Sequence, residues 1–317
     1  MRAYERVRES LKQGRTILLD GGVGTEILRR GVYWRCHGME QKPEAVEAVH
    51  SDYIAAGADV ITTNTFQLTR RSYLNLYYSL DHMRRIGAPG LEHRAAELTA
   101  QAVALAQKAR TKSKREVAIA GSVSPLNHCY RPDLVRPDDE LRSGHAETTA
   151  QLAKAGVDLI LLETMNTIRE ARVACEAARD TGLPVWLSFV VGADARLLSG
   201  EALADAVRAV EPLEPEVVLV NCGPPEDITA ALTELRRHRK GLVGAYAHIG
   251  KYNPPSWKAG FYPGFSHTEA WPPARYAAVV EQWLEGGAQV VGGCCGTTPD
   301  HIRALHSLLA DRQPIPA

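Results

Sequence analysis

The chain lacks several of the features that would place a protein at a membrane, on nucleic acid or in an oxidising compartment. No stretch approaches the run of about 18 apolar residues that reads as a membrane span. The opening residues MRAYERVRESLKQGRT alternate charges where a secretory signal would carry an apolar core, so a cytoplasmic location is the expectation. Thirty-seven basic residues balance thirty-seven acidic ones with no long like-charged run, which leaves no track for nucleic acid or an anionic bilayer. Small, near-neutral partners fit better. Cysteine is sparse and scattered, at positions 36, 129, 175, 222, 294 and 295 of 317, too thin for a disulfide scaffold in a chain of this size. Free thiols or metal ligands are expected instead.

No linker-like stretch divides the chain, so residues 1–317 read as one domain. Eight short β-branched runs recur, at 16–22, 59–66, 117–124, 158–165, 184–191, 216–223, 242–249 and 288–295. Between and after them lie amphipathic helix patterns at 43–57, 91–110, 140–156, 167–182, 201–210, 225–240, 273–287 and 299–311. Proline or an acidic residue often opens these helices and glycine often closes them, as helix-end chemistry predicts. Eight β/α alternations predict a (β/α)8 TIM barrel, an α/β fold; six of the units would also serve a doubly wound sheet. In a barrel the irregular stretches 29–42, 125–138 and 250–272, each after a candidate strand, lie on the active-site face.

Reactive residues gather at the strand C-terminal ends: Asp20-Gly21-Gly22, Thr63-Asn64-Thr65, Ser122-Val123-Ser124, Glu163-Thr164, Asn221-Cys222 and Cys294-Cys295. The sixth and eighth strands can present side chains at one height, because alternate barrel strands supply one layer. Three thiolates without a fourth protein ligand match a catalytic zinc site with one open position. The plainer readings are small buried hydrophobes or a strained disulfide between Cys294 and Cys295, which leaves Cys222 unexplained. Cys175 falls inside a helix pattern and reads as core. Cys36 and Cys129 neighbour His37 and His128 without a zinc-finger partner at useful spacing.

The segments LLDGGVGTEILRRG (18–31), AGADVITTNTFQ (56–67), GSVSP (121–125), LLETM (161–165), LVNCG (219–223) and GGCCGTTPDHI (292–302) resemble the homocysteine S-methyltransferase family across nearly the whole chain. The last two together carry the most specific signal. The resemblance implies a zinc-dependent methyltransferase enzyme in which Cys222, Cys294 and Cys295 hold Zn2+. It also implies that Asp20 and Glu163 bind the amino group of homocysteine and that the amides of Gly21 and Thr63 meet its carboxylate. Asn221 would support Cys222. No catalytic residue beyond the zinc site is expected.

A free alkyl thiol with pKa near 8.5 is only about 3% thiolate at pH 7, so deprotonation by zinc would supply a factor of about 30. In-line placement and exclusion of water must supply the rest. Gln67 and Thr164 stand where betaine-dependent relatives carry tyrosines, which favours S-methylmethionine as donor. Trp34, Tyr130, Trp257 and Phe261, on loops that depart from the family pattern, could cage a cationic donor or simply pack those loops. The chain has no room for cobalamin- or folate-binding domains, so a corrinoid route would need a separate protein. Other readings are a barrel that methylates a different thiol, a phosphate-binding barrel using the glycine-rich stretch before Thr298-Pro299, and a zinc-stabilised binding protein.

Overall fold

A computed structural model describes residues 3–32, 35–71, 93–253 and 264–312. Eight parallel strands run in barrel order: β1 (Ile17–Leu18), β2 (Val60–Thr62), β3 (Ala118–Val123), β4 (Leu159–Met165), β5 (Val185–Val190), β6 (Val217–Asn221), β7 (Leu242–Tyr246) and β10 (Val290–Val291). The numbers β8 (Lys251–Asn253) and β9 (Gly264–Ser266) belong to an antiparallel hairpin outside the barrel. Strand β1 pairs with β10 through Ile17–Val290 and Leu18–Val291, and a parallel bridge from Leu19 to Val60 joins it to β2. Each chain neighbour is therefore a spatial neighbour and the sheet returns on itself. A doubly wound sheet, which reverses strand order midway, is excluded.

The eight expected helices are present as α3 (Pro43–Ala56), α4 (Arg94–Ser113), α5 (Asp138–Ala155), α6 (Ile168–Arg179), α7 (Leu203–Val210), α8 (Pro225–His238), α9 (Pro273–Glu285) and α10 (Pro299–Arg312). Proline sits at the first turn of α3, α8 and α9, where its missing N–H costs nothing. Gly57 ends α3 with φ 113°, and a side chain there would also strike the His306 ring of α10. The outer core lies between this helical ring and the sheet, and Cys175 is buried in it as expected. No helix among the described residues is long and apolar enough to cross a membrane.

Two helices go beyond the sequence expectations. The first, α1 (Ala3–Lys12), buries Tyr4, Val7 and Leu11, spaced at three and four residues, while its charges face outward. These side chains join the barrel interior formed by Leu19, Val60, Ala118, Leu159, Trp186, Val217 and Val290 and plug its N-terminal end. Tyr4 receives the indole N–H of Trp186 at 2.9 Å and donates its own proton to Glu216. The second, α2 (Val23–Arg29), begins directly after the Asp20-Gly21-Gly22 turn, whose glycines hid it.

The plug sets one expectation. Tyr4→Phe removes the acceptor of a buried indole N–H and the donor to Glu216, so it should destabilise the chain by about 1–3 kcal/mol. A urea midpoint shift measures this, and an unchanged midpoint would show that α1 contributes nothing through that network.

Candidate functional site

The mouth of the barrel is built where the strands stop. Cys222 follows β6 in the left-handed region, φ 57°, with its amide bonded to Tyr246 O at 3.2 Å. Its carbonyl accepts from Tyr130 Oη at 3.1 Å and from the His248 ring Nδ1 at 2.9 Å; because a carbonyl only accepts, Nδ1 carries the proton. Strand β10 ends at Val291, so Cys294 and Cys295 lie beyond the region where side chains must alternate. Gly296 turns the chain there with φ 83°, and a Cβ at that position would lie 2.7 Å from Ile249 O. Cys294 N bonds Ala247 O at 2.9 Å, and Cys295 O accepts from Ile249 N at 2.9 Å.

The turn after β1 is stitched to the cysteine turn. Gly293 N donates to Asp20 O at 3.0 Å, Gly22 N to Thr297 Oγ1 at 3.2 Å, and Thr297 Oγ1 passes its own proton to Cys294 O at 2.7 Å. A Cβ on Gly22 would come within 2.7 Å of Cys294 O, so only glycine allows this approach. The result is that the sulfurs of Cys222, Cys294 and Cys295 all lie within 4.8 Å of one another. A tetrahedral zinc with sulfur ligands at about 2.3 Å spaces those sulfurs about 3.8 Å apart, so the donor set fits with small side-chain adjustment. Thiol hydrogen bonds from Cys294 and Cys295 hold Cys222 well below the ordinary cysteine range against the cost of burial. Hydrogen bonding to Cys222 pushes Cys294 and Cys295 up. Within the trio, ionisation is thus favoured at Cys222 over its two neighbours, and a divalent cation would stabilise the thiolate form.

Asn221 is the buried brace beneath the thiols. Its Oδ1 accepts from Ser188 Oγ at 2.7 Å and Thr164 N at 3.1 Å, and its Nδ2 donates to Thr164 Oγ1 at 2.9 Å and approaches Cys294 Sγ at 4.0 Å. Thr164 has φ 63°, and the pairing of β4 with β5 slips between Leu162 and Met165. This irregularity at the end of β4 brings Glu163 to the barrel mouth, as strand bulges re-aim side chains elsewhere.

Asp20 and Glu163 meet the thiols around one cavity, lined also by Gly21, Thr63, Asn64 and Thr164. Burial raises Asp20 well above the usual carboxylate range, although Thr62 N donates to it at 2.7 Å. Burial likewise lifts Glu163 to about 7, opposed by hydrogen bonds from Ser122 and Tyr246. Two carboxylates kept from water in this way gain from a cationic partner. The Thr63 amide is bonded to Ala120 O at 2.9 Å and its hydroxyl lies 2.7 Å from that of Thr65. Thr63 therefore lines the cavity with its amide already committed, whereas Gly21 lies beside Asp20 on the cavity wall.

Of the four expected aromatic residues, Tyr130 lies at the site with its hydroxyl 3.0 Å from Cys222 Sγ. Trp34, Trp257 and Phe261 fall outside the described residues, as does the Cys36 side chain. Cys129 is buried on the cavity wall but is not one of the three converging thiols. Gln67 does not line the cavity. Phe66, Tyr246 and Phe265 do, and sequence reasoning had not singled them out. Phe265 reaches the cavity on the β8–β9 hairpin, where it stands opposite Tyr252.

Comparison with known proteins agrees with this geometry. A family model described as homocysteine S-methyltransferase matches residues 17–309. The chain is 27% identical to homocysteine S-methyltransferase YbgG of Bacillus subtilis (strain 168), over 91% of this chain and 93% of that protein. It is 26% identical to a selenocysteine Se-methyltransferase of Brassica oleracea var. italica, over 98% and 93% of the two chains. The metallated form of the homocysteine methyltransferase MmuM from Escherichia coli superposes with a TM-score of 0.77 at 26% identity, covering 95% of this chain and 99% of that one. With its barrel and site spanned by that match, the chain belongs to the homocysteine S-methyltransferase family.

Proposed function

We propose that this enzyme transfers a methyl group from a sulfonium donor, S-methylmethionine above others, to the thiol of L-homocysteine held at a zinc ion, giving methionine. The convergence of three cysteine sulfurs on a cavity that also carries two buried carboxylates is the observation that supports it. Cys222, Cys294 and Cys295 would hold the zinc, which when bound lowers the proton affinity of the acceptor thiol while leaving one position open for it.

The chain's own residues do the remaining work. Asp20 and Glu163 accept the acceptor's ammonium group, and that cation keeps both carboxylates ionised against the cost of burial. Gly21 offers the backbone amide for the carboxylate end; Thr63, its own amide bonded to Ala120, shapes the wall beside it. Asn221 holds the ends of β4 and β6 in register, so that Glu163 and Cys222 keep a fixed separation. Fixing both ends of the amino acid aims its sulfur at the metal centre, the positioning that converts a slow bimolecular displacement into a rapid one.

A second acceptor reading has specific support. The Brassica relative is named for selenocysteine, one methylene shorter than the homocysteine skeleton, so a related thiol or selenol is the next candidate. The phosphate reading loses support, because the Thr298 amide at the start of α10 is bonded to His301 Nδ1 at 3.2 Å. The corrinoid route is represented among the donors to be tried by methylcobalamin.

Purified enzyme should contain about one zinc per chain and form methionine from homocysteine with S-methylmethionine. In a panel that adds S-adenosylmethionine, betaine and methylcobalamin, chelation should abolish all turnover. Failure of every donor with the zinc-loaded form would remove the homocysteine reading. Cys295→Ser should lower zinc affinity by at least tenfold in a competition titration; unchanged affinity would refute the three-thiolate assignment.

The pH dependence follows from Glu163, which burial places at about 7. Below that pH it is neutral and cannot pair with an ammonium; above it, it is anionic and can. The KM for homocysteine should therefore rise as pH falls from 8 to 6, by about tenfold for each unit below the midpoint. Glu163→Gln should raise KM at pH 8 and flatten that profile. A profile equally steep in the variant would assign the titration to another group.

A further inference from the structure

The hydroxyl of Tyr130 reaches two atoms of a single residue, the carbonyl oxygen of Cys222 at 3.1 Å and its Sγ at 3.0 Å. It has one proton to give. The carbonyl already accepts from the ring Nδ1 of His248 at 2.9 Å, so it is satisfied without the tyrosine. The sulfur, once a metal-bound thiolate, is an anion, and a charged acceptor makes the stronger bond. The proton therefore belongs on Sγ whenever Cys222 serves as a ligand. Within the trio the contact is uneven: Asn221 Nδ2 comes only to 4.0 Å of Cys294 Sγ.

The tyrosine is held in place for this contact. Asn166, 1% exposed just after β4, donates to Cys129 O at 2.9 Å, and Tyr130 N donates to His128 Nδ1 at 3.2 Å. The Tyr130 ring lies against that of Tyr252, with 4.5 Å between centroids. A hydroxyl whose backbone and ring are both fixed gives up little further freedom in staying on the sulfur.

All three cysteines line the cavity, so a methyl donor there would meet the chain's own thiolates as well as the acceptor's. Methylation of a ligand would break the bond from the donor heteroatom to the methyl carbon, leave its electron pair on the heteroatom and join the carbon to Sγ. An anionic ligand would become a neutral thioether. We propose that the Tyr130 hydroxyl caps Cys222 Sγ and withholds it from methylation, so that the chain keeps its ligand while the acceptor sulfur takes the methyl group. The proposal rests on the zinc and methyl-transfer reading above and adds a positioning residue that acts through Cys222. A hydrogen bond to an anion lowers the proton affinity of its sulfur by about ten- to a hundredfold. With a thiolate nucleophilicity slope of about 0.4–0.5, attack by that sulfur slows by about three- to eightfold. The single proton, once on Cys222, leaves the acceptor sulfur uncapped.

The test compares zinc-loaded wild type with Tyr130→Phe, which keeps the ring and removes the hydroxyl. Each is treated with methyl methanesulfonate without acceptor, and the three cysteines are followed by peptide mass spectrometry. Cys222 should be methylated about fivefold faster in the variant, with Cys294 and Cys295 within about twofold of wild type. Cobalt in place of zinc reads the bond without alkylation. Loss of the hydrogen bond raises the sulfur lone pairs in energy, so the thiolate-to-cobalt charge-transfer band should move to longer wavelength in Tyr130→Phe. With 3-fluorotyrosine at position 130, a more acidic donor that keeps the hydroxyl, it should move to shorter wavelength. An unchanged Cys222 rate or an unmoved band would overturn the proposal. Equal acceleration of all three cysteines would also overturn it, because that marks a loosened loop and not a lost cap. A chain that binds neither metal would remove the three-thiolate reading and this proposal together. One that binds both, shows both effects and methylates homocysteine with no donor would keep the cap and lose the methyl-transfer reading.

Discussion

Three sulfurs can face one point in this barrel only because the backbone abandons strand geometry at the ends of β6 and β10. A strand that continued through Asn221-Cys222 or Cys294-Cys295 would throw successive side chains to opposite faces. At β10 the departure is made by glycine, which tolerates it. At β6 the cysteine itself takes φ 57°, and at β4 Thr164 takes φ 63°. Such conformations cost on the order of 1–2 kcal/mol each for residues with a Cβ. They persist because the freed backbone groups are bonded elsewhere: Thr164 N to Asn221, Cys222 N to Tyr246 O, and Cys222 O to Tyr130 and His248. Each such bond contributes about 0.5–1.5 kcal/mol net, so the network is of the right size to offset the strain.

That network also links functions that are separate in the chain. Asn221 joins the strand carrying Glu163 to the strand carrying Cys222, so on the proposed reading ammonium recognition and sulfur placement would share a brace. Thr297 joins the Asp20 turn to Cys294 in the same way. The distance from the amino end of a bound amino acid to its sulfur would thereby be set by strand ends, and the loops left to vary. The loops carry the rings of Tyr130 and Phe265 that line the cavity. An arrangement of this kind can change donor without disturbing the acceptor site, since the two draw on different elements.

The alternation of β-branched runs with amphipathic helices made the barrel legible, and polar residues at the strand ends made the thiols and Asp20 legible as one mouth. Lateral contacts were not. Asn221 reads from sequence as a support for its neighbour Cys222, yet its closest partners are Ser188 and Thr164 on other strands. Thr63 stands at the expected place, but no sequence pattern reveals that Ala120 takes its amide. The β8–β9 hairpin was hidden for a local reason: its strands are three residues each and flank a segment punctuated by proline and glycine, which reads as loop. Helix α1 escaped because its apolar residues are few and its charges many, and its place is decided by the open end of a barrel assembled from later sequence.

The electrostatics of the cavity explain why such a site would favour onium chemistry. Asp20, Glu163 and the three thiols lie together on the wall of one cavity, where burial disfavours the ionised carboxylates, as the upward shifts of both record. On the proposed reading three cations would complete it: a divalent metal among the sulfurs, the ammonium of the acceptor between the carboxylates, and the onium centre of the donor. Two of these stay charged through the reaction. Only the donor's charge is lost, cancelled against that of the acceptor sulfur. Metal and ammonium can therefore remain bound while the spent donor, now neutral, is the first to lose its hold. Release would then be ordered by charge, with the spent donor leaving before the acceptor's product leaves the acidic floor.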